Sequence, residues 1–358
     1  MNELSLPSSE IINVGIIGAS YGVTNLLPVL DSIPDYRVIS IATNSKINSN
    51  LKLMLNLREN ITLVSVKELI QNKNISLVVV ASPPSTHEEF VISALRAKKN
   101  IYCEKPAGLS SDSTRRIFQV ANQTKLISTV GLQFRYDPMI NWLKTQIMKG
   151  KVGEINRVEV QWSTSGNSNT PSKSWRNHLD LGGGVLRDFG IHVFDYLLFL
   201  DIFKLSYNFS TTSSFYNFKN NNLAHNIQNI DFSFWLNSTE FRFVISRTSV
   251  KSSGHHIRII GSKAEVWVKH SPPFRIQDFT FGLAEKSKVP RDTAHVLSPA
   301  PILTDLSVQN LDVRGLSSRK LFIDLAHAIA GNTPNNLPTL EQAIFSHKIV
   351  DRVQEILF

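Results

Sequence analysis

The segment Gly182-Gly183-Gly184-Val185-Leu186-Arg187-Asp188-Phe189-Gly190-Ile191-His192-Val193-Phe194-Asp195 opens on a glycine turn and continues in a helical pattern. Asp188, His192 and Asp195 stand at i, i+4 and i+7, which predicts that all three share one helix face. Histidine is the side chain best suited to moving a proton near neutral pH, and a nearby carboxylate raises its basicity and orients its ring. A lone histidine in an apolar helix is ordinarily a core residue. An Asp-x-x-x-His placed just after three glycines instead makes Asp188 and His192 the candidate acid–base residues.

A second candidate is Lys105 in Cys103-Glu104-Lys105-Pro106. The segment follows a short apolar run at 100–103, and the carboxyl ends of parallel strands line ligand crevices. An ammonium there can donate to a substrate hydroxyl or a developing alkoxide, and Pro106 stiffens the turn that aims it. Standing alone, the same residues would read as a surface turn.

The third feature is Gly15-Ile16-Ile17-Gly18-Ala19-Ser20-Tyr21-Gly22, between an apolar run at 11–17 and a helical pattern starting near residue 24. A glycine-rich strand-to-helix turn suits a pyrophosphate, because the backbone comes close and amides at the helix start accept negative charge. The register is G-x-x-G-x-S-x-G, which by itself is a weak match to a dinucleotide fingerprint. The residues Gly18 to Gly22 also spell the G-x-S-x-G of a hydrolase nucleophile elbow. An elbow follows several strands and only one precedes Ser20, which counts against that chemistry. A tight turn without ligand also fits.

An NAD site commonly has an acidic residue at the end of the second strand. The sequence there is Ala42-Thr43-Asn44-Ser45-Lys46, without a carboxylate. Thr43, Ser45 and Lys46 could hold a 2′-phosphate, which favours NADP over NAD, although each could equally be an ordinary loop residue.

These groups need a scaffold, and the hydrophobic pattern predicts one. Strand-like runs at 36–42, 77–81, 100–103 and 127–130 alternate with helical patterns at 51–57, 88–97 and 112–122. The unbroken Leu77-Val78-Val79-Val80-Ala81 has no polar alternation, as expected of a parallel strand buried on both faces. The expected fold is α/β: a doubly wound parallel Rossmann sheet over 1–130, then an α/β domain over 131–358 with an open, mostly antiparallel sheet. In the second domain a helix at 139–148 leads to strands near 155–162, 229–235, 240–247, 256–260 and 264–269. The Asn/Ser-rich stretches 163–169 and 217–222 read as loops, and 340–357 as a helix capped by Thr339.

The chain has 358 residues, 42% hydrophobic and 19% charged, which is ordinary globular composition and suggests two domains. A single cysteine, Cys103, permits neither an internal disulfide framework nor a cysteine zinc site and suggests a reducing, cytoplasmic address. It closes a buried strand and reads as packing. No signal peptide or bilayer-length apolar run is visible, so no membrane association is expected. The net charge of +9 is scattered without a basic stripe interleaved with aromatics, so no nucleic-acid partner is expected. His255-His256 lacks a local carboxylate or cysteine cluster, and no metal site is expected.

Together the motifs resemble the glucose-fructose oxidoreductase, inositol dehydrogenase and MocA-like (Gfo/Idh/MocA) oxidoreductases over nearly the whole chain. The resemblance rests on Gly15 to Gly22, Ala81-Ser82-Pro83-Pro84 with His87, Glu104-Lys105-Pro106, Gly131-Leu132-Gln133-Phe134-Arg135, Lys151-Val152-Gly153-Glu154-Ile155, Trp175-Arg176 and Gly182 to Asp195. It implies that Lys105, Asp188 and His192 surround the nicotinamide and a sugar or cyclitol substrate. It also implies cofactor contacts from Gly18, Ser20, Tyr21, Gly22, Ala81, Ser82, Pro83, His87, Glu104, Gln133, Trp175 and Arg176. Ser20 stands where the family often has glycine, and Gln133 where it often has asparagine.

The reaction implied is reversible oxidation of a secondary alcohol on a sugar, sugar derivative or cyclitol. His192 would take the hydroxyl proton, Lys105 would polarise the oxygen, and Asp188 would tune the pair. A homodimer or homotetramer is implied as well. Two alternatives stay open at this level: a non-catalytic dinucleotide sensor, and redox-assisted cleavage or epimerisation on the same fold.

Overall fold

The structure is a computed structural model that describes residues 11–43, 60–165, 174–207, 215–219, 228–249, 252–272, 278–285 and 313–357. The chain forms two compact units, Met1–Gln133 with Ser307–Ile344, and Phe134–Leu306 with Phe345–Phe358.

The first unit is built on β1 (Ile12–Ile17), β2 (Tyr36–Ala42), β3 (Thr62–Val64), β4 (Leu77–Val80), β5 (Asn100–Cys103) and β6 (Ser128–Val130). All neighbours are parallel, in the order β3-β2-β1-β4-β5-β6. The order reverses between β1 and β4. At such a reversal the connections leave to opposite faces, which opens a crevice at the strands' carboxyl ends. Val14, Ile16 and Leu77 to Val80 are fully buried, as the unbroken apolar runs require. The described helices are α1 (Leu27–Asp31), which a wide turn over Gly22–Leu26 precedes, α2 (Val66–Gln71), α3 (His87–Arg96) and α4 (Ser111–Asn122). Reciprocal side-chain to backbone bonds at Ser65 and Glu68, and at Ser110 and Ser113, start α2 and α4.

A late helix, α7 (Val313–Ile329), completes the first unit. Its Phe322 ring stacks on Tyr102 at 4.5 Å, and the Tyr36 hydroxyl donates to the Phe322 carbonyl at 2.7 Å. A division drawn once along the chain at 130/131 does not anticipate this return. The segment's Gly315, Ser317 and Ser318 weaken its helical pattern and hide the helix from its sequence.

The second unit holds β7 (Ile155–Ser165), β8 (Phe215–Lys219), β9 (Asn229–Leu236), β10 (Thr239–Ser249), β11 (Gly254–Gly261), β12 (Ala264–His270) and β13 (Phe279–Glu285) in the order β13-β12-β11-β7-β10-β9-β8. Every pair is antiparallel except β7 with β10. Side chains alternate with period 2. Val158, Val160, Phe241, Phe243, Ile257, Ile259, Val266 and Val268 are buried, while Arg157, Glu159, Arg258 and Glu265 pair among themselves on the other face. The helices α5 (Pro138–Met148) and α6 (Ile191–Phe199) belong to this unit, with Phe194 of α6 meeting Phe243 edge-on at 5.6 Å.

The last helix, α8 (Leu340–Leu357), starts as predicted: the Thr339 hydroxyl accepts from the Gln342 amide at 3.2 Å while Gln342 Oε1 accepts from the Thr339 amide at 3.1 Å. Two loop expectations are corrected. Residues 215–219 form edge strand β8 on β9, and β7 continues to Ser165 because Ser163 pairs with both Gly254 and Ser246. Strand pairing overrides the turn preference of Asn and Ser. The helical pattern at 51–57 lies outside the described residues. Among the described residues, no helix is long and apolar enough to cross a membrane, and no group of three or more His, Cys, Asp or Glu could hold a metal ion.

Candidate active site

At the carboxyl end of β1 the chain turns through Gly18, whose φ of +115° disfavours any residue with a Cβ. Space matters as much as conformation, because a Cβ there would lie 2.4 Å from the Ala81 carbonyl oxygen. The Gly18 amide donates to the Ala42 carbonyl at 2.8 Å, and Ala81 donates to Ile17 at 2.8 Å. The ends of three neighbouring strands therefore close on one glycine. The Ser20 carbonyl accepts from the Val23 and Thr24 amides at 3.2 and 2.9 Å, so the helix begins at Tyr21 and Gly22.

Beyond β4, Ser82 shares a hydroxyl–hydroxyl bond of 2.7 Å with Thr86, and Pro83 leads into a tight turn over Pro84–Thr86. His87 is fully buried. Its ring nitrogens lie 2.8 Å from the carbonyl oxygens of Pro106 and Ser82, so the ring ties the turn after β4 to the turn after β5. Burial lowers the pKa of the ring, and the two carbonyls oppose that shift.

Lys105 is half-buried just beyond β5. Glu104 beside it is buried: one carboxylate oxygen accepts from the Tyr102 hydroxyl at 2.7 Å and the other from the Lys105 amide at 3.2 Å. Burial pushes the Tyr102 phenol and the Cys103 thiol well up, and the Glu104 charge adds to both shifts. A Cβ on Gly131 would lie 2.9 Å from Glu104 Oε1, so glycine at 131 makes room for the carboxylate. Glu104 and His87, expected at the cofactor, thus hold the Lys105-Pro106 backbone from two sides. Gln133 is buried, and its side-chain oxygen has no hydrogen-bond partner among the described residues.

In the second unit the three glycines let the segment that carries Asp188 and His192 close on the turn Trp175–Asn177. A Cβ on Gly183 would lie 2.5 Å from the carbonyl oxygens of both Trp175 and Arg176, while Gly182 and Gly184 have φ of +90° and +93°. The Gly184 amide donates to Arg176 at 3.1 Å. Asp188 lies in a wide turn over Leu186–Gly190, one turn before His192 on α6. His192 is buried, with ring centroids 4.7 Å from Phe134 and 6.2 Å from Trp162.

Asp195, the third residue of that spacing, is buried and bonded through both carboxylate oxygens to Arg135, so its carboxylate serves an internal ion pair. Sequence reasoning also missed Arg247 on β10, whose Nη1 donates to Asp188 Oδ2 at 3.2 Å. Nothing local marks Arg247. Ser45 and Lys46 lie outside the described residues, and Thr43 stands at the end of β2.

Residues 12–132 match the family model "Oxidoreductase family, NAD-binding Rossmann fold", and residues 140–266 match the "GFO/IDH/MocA C-terminal domain". The chain belongs to the GFO/IDH/MocA oxidoreductase family. One relative in that family, inositol 2-dehydrogenase of Rhizobium meliloti (strain 1021), is 33% identical over 127 residues, covering 36% of this chain and 37% of the relative. The aligned part spans about a third to a half of the curated GFO/IDH/MocA relatives it matches.

Two solved structures share the fold. The Kribbella flavida oxidoreductase domain protein has a TM-score of 0.77 at 18% identity, covering 97% of each chain. KijD10, a 3-ketoreductase from Actinomadura kijaniata in complex with NADP and TDP-benzene, has a TM-score of 0.74 at 19% identity, covering 96% of this chain and 97% of that one. The residues present fit the family's nicotinamide nucleotide. Gly18 brings backbone against backbone where a Cβ would clash, and Gln133 keeps a buried acceptor in reserve.

Proposed function

We propose that the protein is an NAD(P)-dependent oxidoreductase acting on a secondary alcohol or ketone of a sugar, sugar derivative or cyclitol. The observation that carries this reading is the braced Lys105 turn at the carboxyl end of a Rossmann strand, in a chain that also sets Asp188 and His192 on a glycine-opened helix. Family membership and the inositol dehydrogenase and 3-ketoreductase relatives support the substrate class. The lack of an acidic residue from Ala42 to Lys46 favours NADP over NAD.

When bound, the nicotinamide accepts or returns the hydride of the carbinol carbon. Gly18, Ser20, Tyr21 and Gly22 hold its diphosphate, and Ala81, Ser82, Pro83, Gln133, Trp175 and Arg176 line its edges. Ser45 and Lys46 take the 2′-phosphate. In the oxidation direction the C–H bond loses its hydride and the O–H proton passes to the His192 ring. The Lys105 ammonium donates to the same oxygen and stabilises its developing charge. Asp188 stays ionised and orients the imidazole. In reduction His192 returns the proton. A cytoplasmic homodimer or homotetramer, without membrane or nucleic-acid partner, belongs to the same proposal.

Fluorescence titration of cofactor-stripped protein with NADPH and NADH tests the reading. Saturable binding with NADPH the tighter of the two is the expected result. Folded protein that binds neither overturns it.

A further inference from the structure

Arg247 lies on β10 and only 13% of its side chain is exposed. Its donors are spent on four acceptors: Nε on Gln228 Oε1 at 2.7 Å, Nη1 on Asp188 Oδ2 at 3.2 Å, and Nη2 on the Arg176 carbonyl and Asn177 Oδ1, both at 3.0 Å. Gln228 in turn donates to Asn177 Oδ1 at 3.3 Å and accepts from the Arg247 amide through its carbonyl at 2.9 Å. A planar, permanently charged guanidinium bonded on every side is a fixture and not a mobile clamp for substrate.

We propose that Arg247 is a positioning residue for the Asp188–His192 pair, fastening the Asp188 carboxylate to the Trp175–Asn177 turn and drawing off part of its charge. As a role in catalysis it rests on the oxidoreductase reading above. One cation thus links the acid–base helix to the turn that carries Trp175 and Arg176. The Arg176 guanidinium stacks over the Trp175 ring at 4.5 Å with its Nε 3.9 Å from the same Asp188 oxygen. Two cations on one carboxylate favour its charged form. They also weaken its pull on a proton at His192, one helical turn away.

Further groups lie around His192 in the same unit. On its own helix Asp195 is neutralised by Arg135. The rings it meets from the segment after β6 and from β7 are uncharged Phe134 and Trp162. His255 of β11, packed against those two rings, is held neutral by burial, with its pKa pushed down to about 3.

The test follows the His192 ring by NMR in the full chain through a pH titration, for the parent, Arg247→Gln, Asp188→Asn and the double variant, with thermal melts to establish folding. Arg247→Gln is expected to raise the His192 midpoint by about half a pH unit or more. Asp188→Asn is expected to lower it and to abolish the effect of Arg247→Gln. A folded Arg247→Gln variant with the parent midpoint overturns the proposal. So does an unmoved midpoint in Asp188→Asn, which decides the matter even where Arg247→Gln fails to fold. The NADPH titration runs separately: a parent that binds no nucleotide but shows these shifts loses the oxidoreductase reading and keeps the Arg247–Asp188–His192 coupling.

Discussion

Arg135 Nε donates to Asp195 Oδ2 at 2.9 Å, its Nη2 bonds the other carboxylate oxygen, and the two side chains are only 2% and 1% exposed. Burial raises the Asp195 pKa and the guanidinium pulls it back. Removing either partner leaves a buried charge uncompensated, so Asp195→Asn or Arg135→Met is expected to cost about 3–5 kcal/mol. Denaturant unfolding measures the loss. On the proposed function, Asp195→Asn protein that still folds is expected to keep its turnover per folded molecule, whereas Asp188→Asn is expected to lose it.

Stability will depend on His255. Burial holds its native pKa at about 3, against about 6.5 for an unfolded histidine, so the unfolded chain binds the extra proton between those values. The stabilisation from keeping the ring neutral is complete above about pH 6.5 and is lost as pH falls toward 3, at about 1.4 kcal/mol per pH unit. Melting temperatures from pH 7 to pH 4 should fall more steeply in the parent than in His255→Gln. Equal slopes would remove the assignment.

Gly18→Ala is the sharpest test of the nucleotide turn. The added methyl would sit 2.4 Å from the Ala81 carbonyl oxygen in a backbone conformation that disfavours it. The variant should lose about 1–3 kcal/mol of stability and at least tenfold in NADPH affinity. A folded variant with parental affinity would move the phosphate site elsewhere.

His192→Ala should lower turnover by about 10²–10⁴ with little change in nucleotide affinity, if the ring moves the substrate proton. The comparison uses the first sugar or cyclitol found to be turned over. Near-parental turnover would transfer the acid–base role to another group.

Much of the scaffold could be read locally. The run Leu77 to Val80 forms a doubly buried strand, the glycines around Gly18 make a strand-to-helix turn, and Thr339 caps its helix. These features involve residues within about one turn of each other, where spacing alone decides what meets. The one-turn spacing of Asp188 and His192 was legible for the same reason. The edge strand at 215–219 was not, because the Asn-rich stretch 217–222 overlaps it and hides the strand pattern of Phe215, Tyr216 and Phe218.

Arg242 and Arg247 show where local reading stops. Both are arginines on β10, five residues apart, and an odd separation sends them to opposite faces of the sheet. Arg242 is 43% exposed and pairs with Asp231 across the strands, whereas Arg247 turns inward to Asp188. Sequence determined that two cations would stand on this strand, on opposite faces, and that a carboxylate would precede His192 by one turn. Which cation reaches which carboxylate followed from strand order and register, because those alone set which face of β10 is covered and what lies across it.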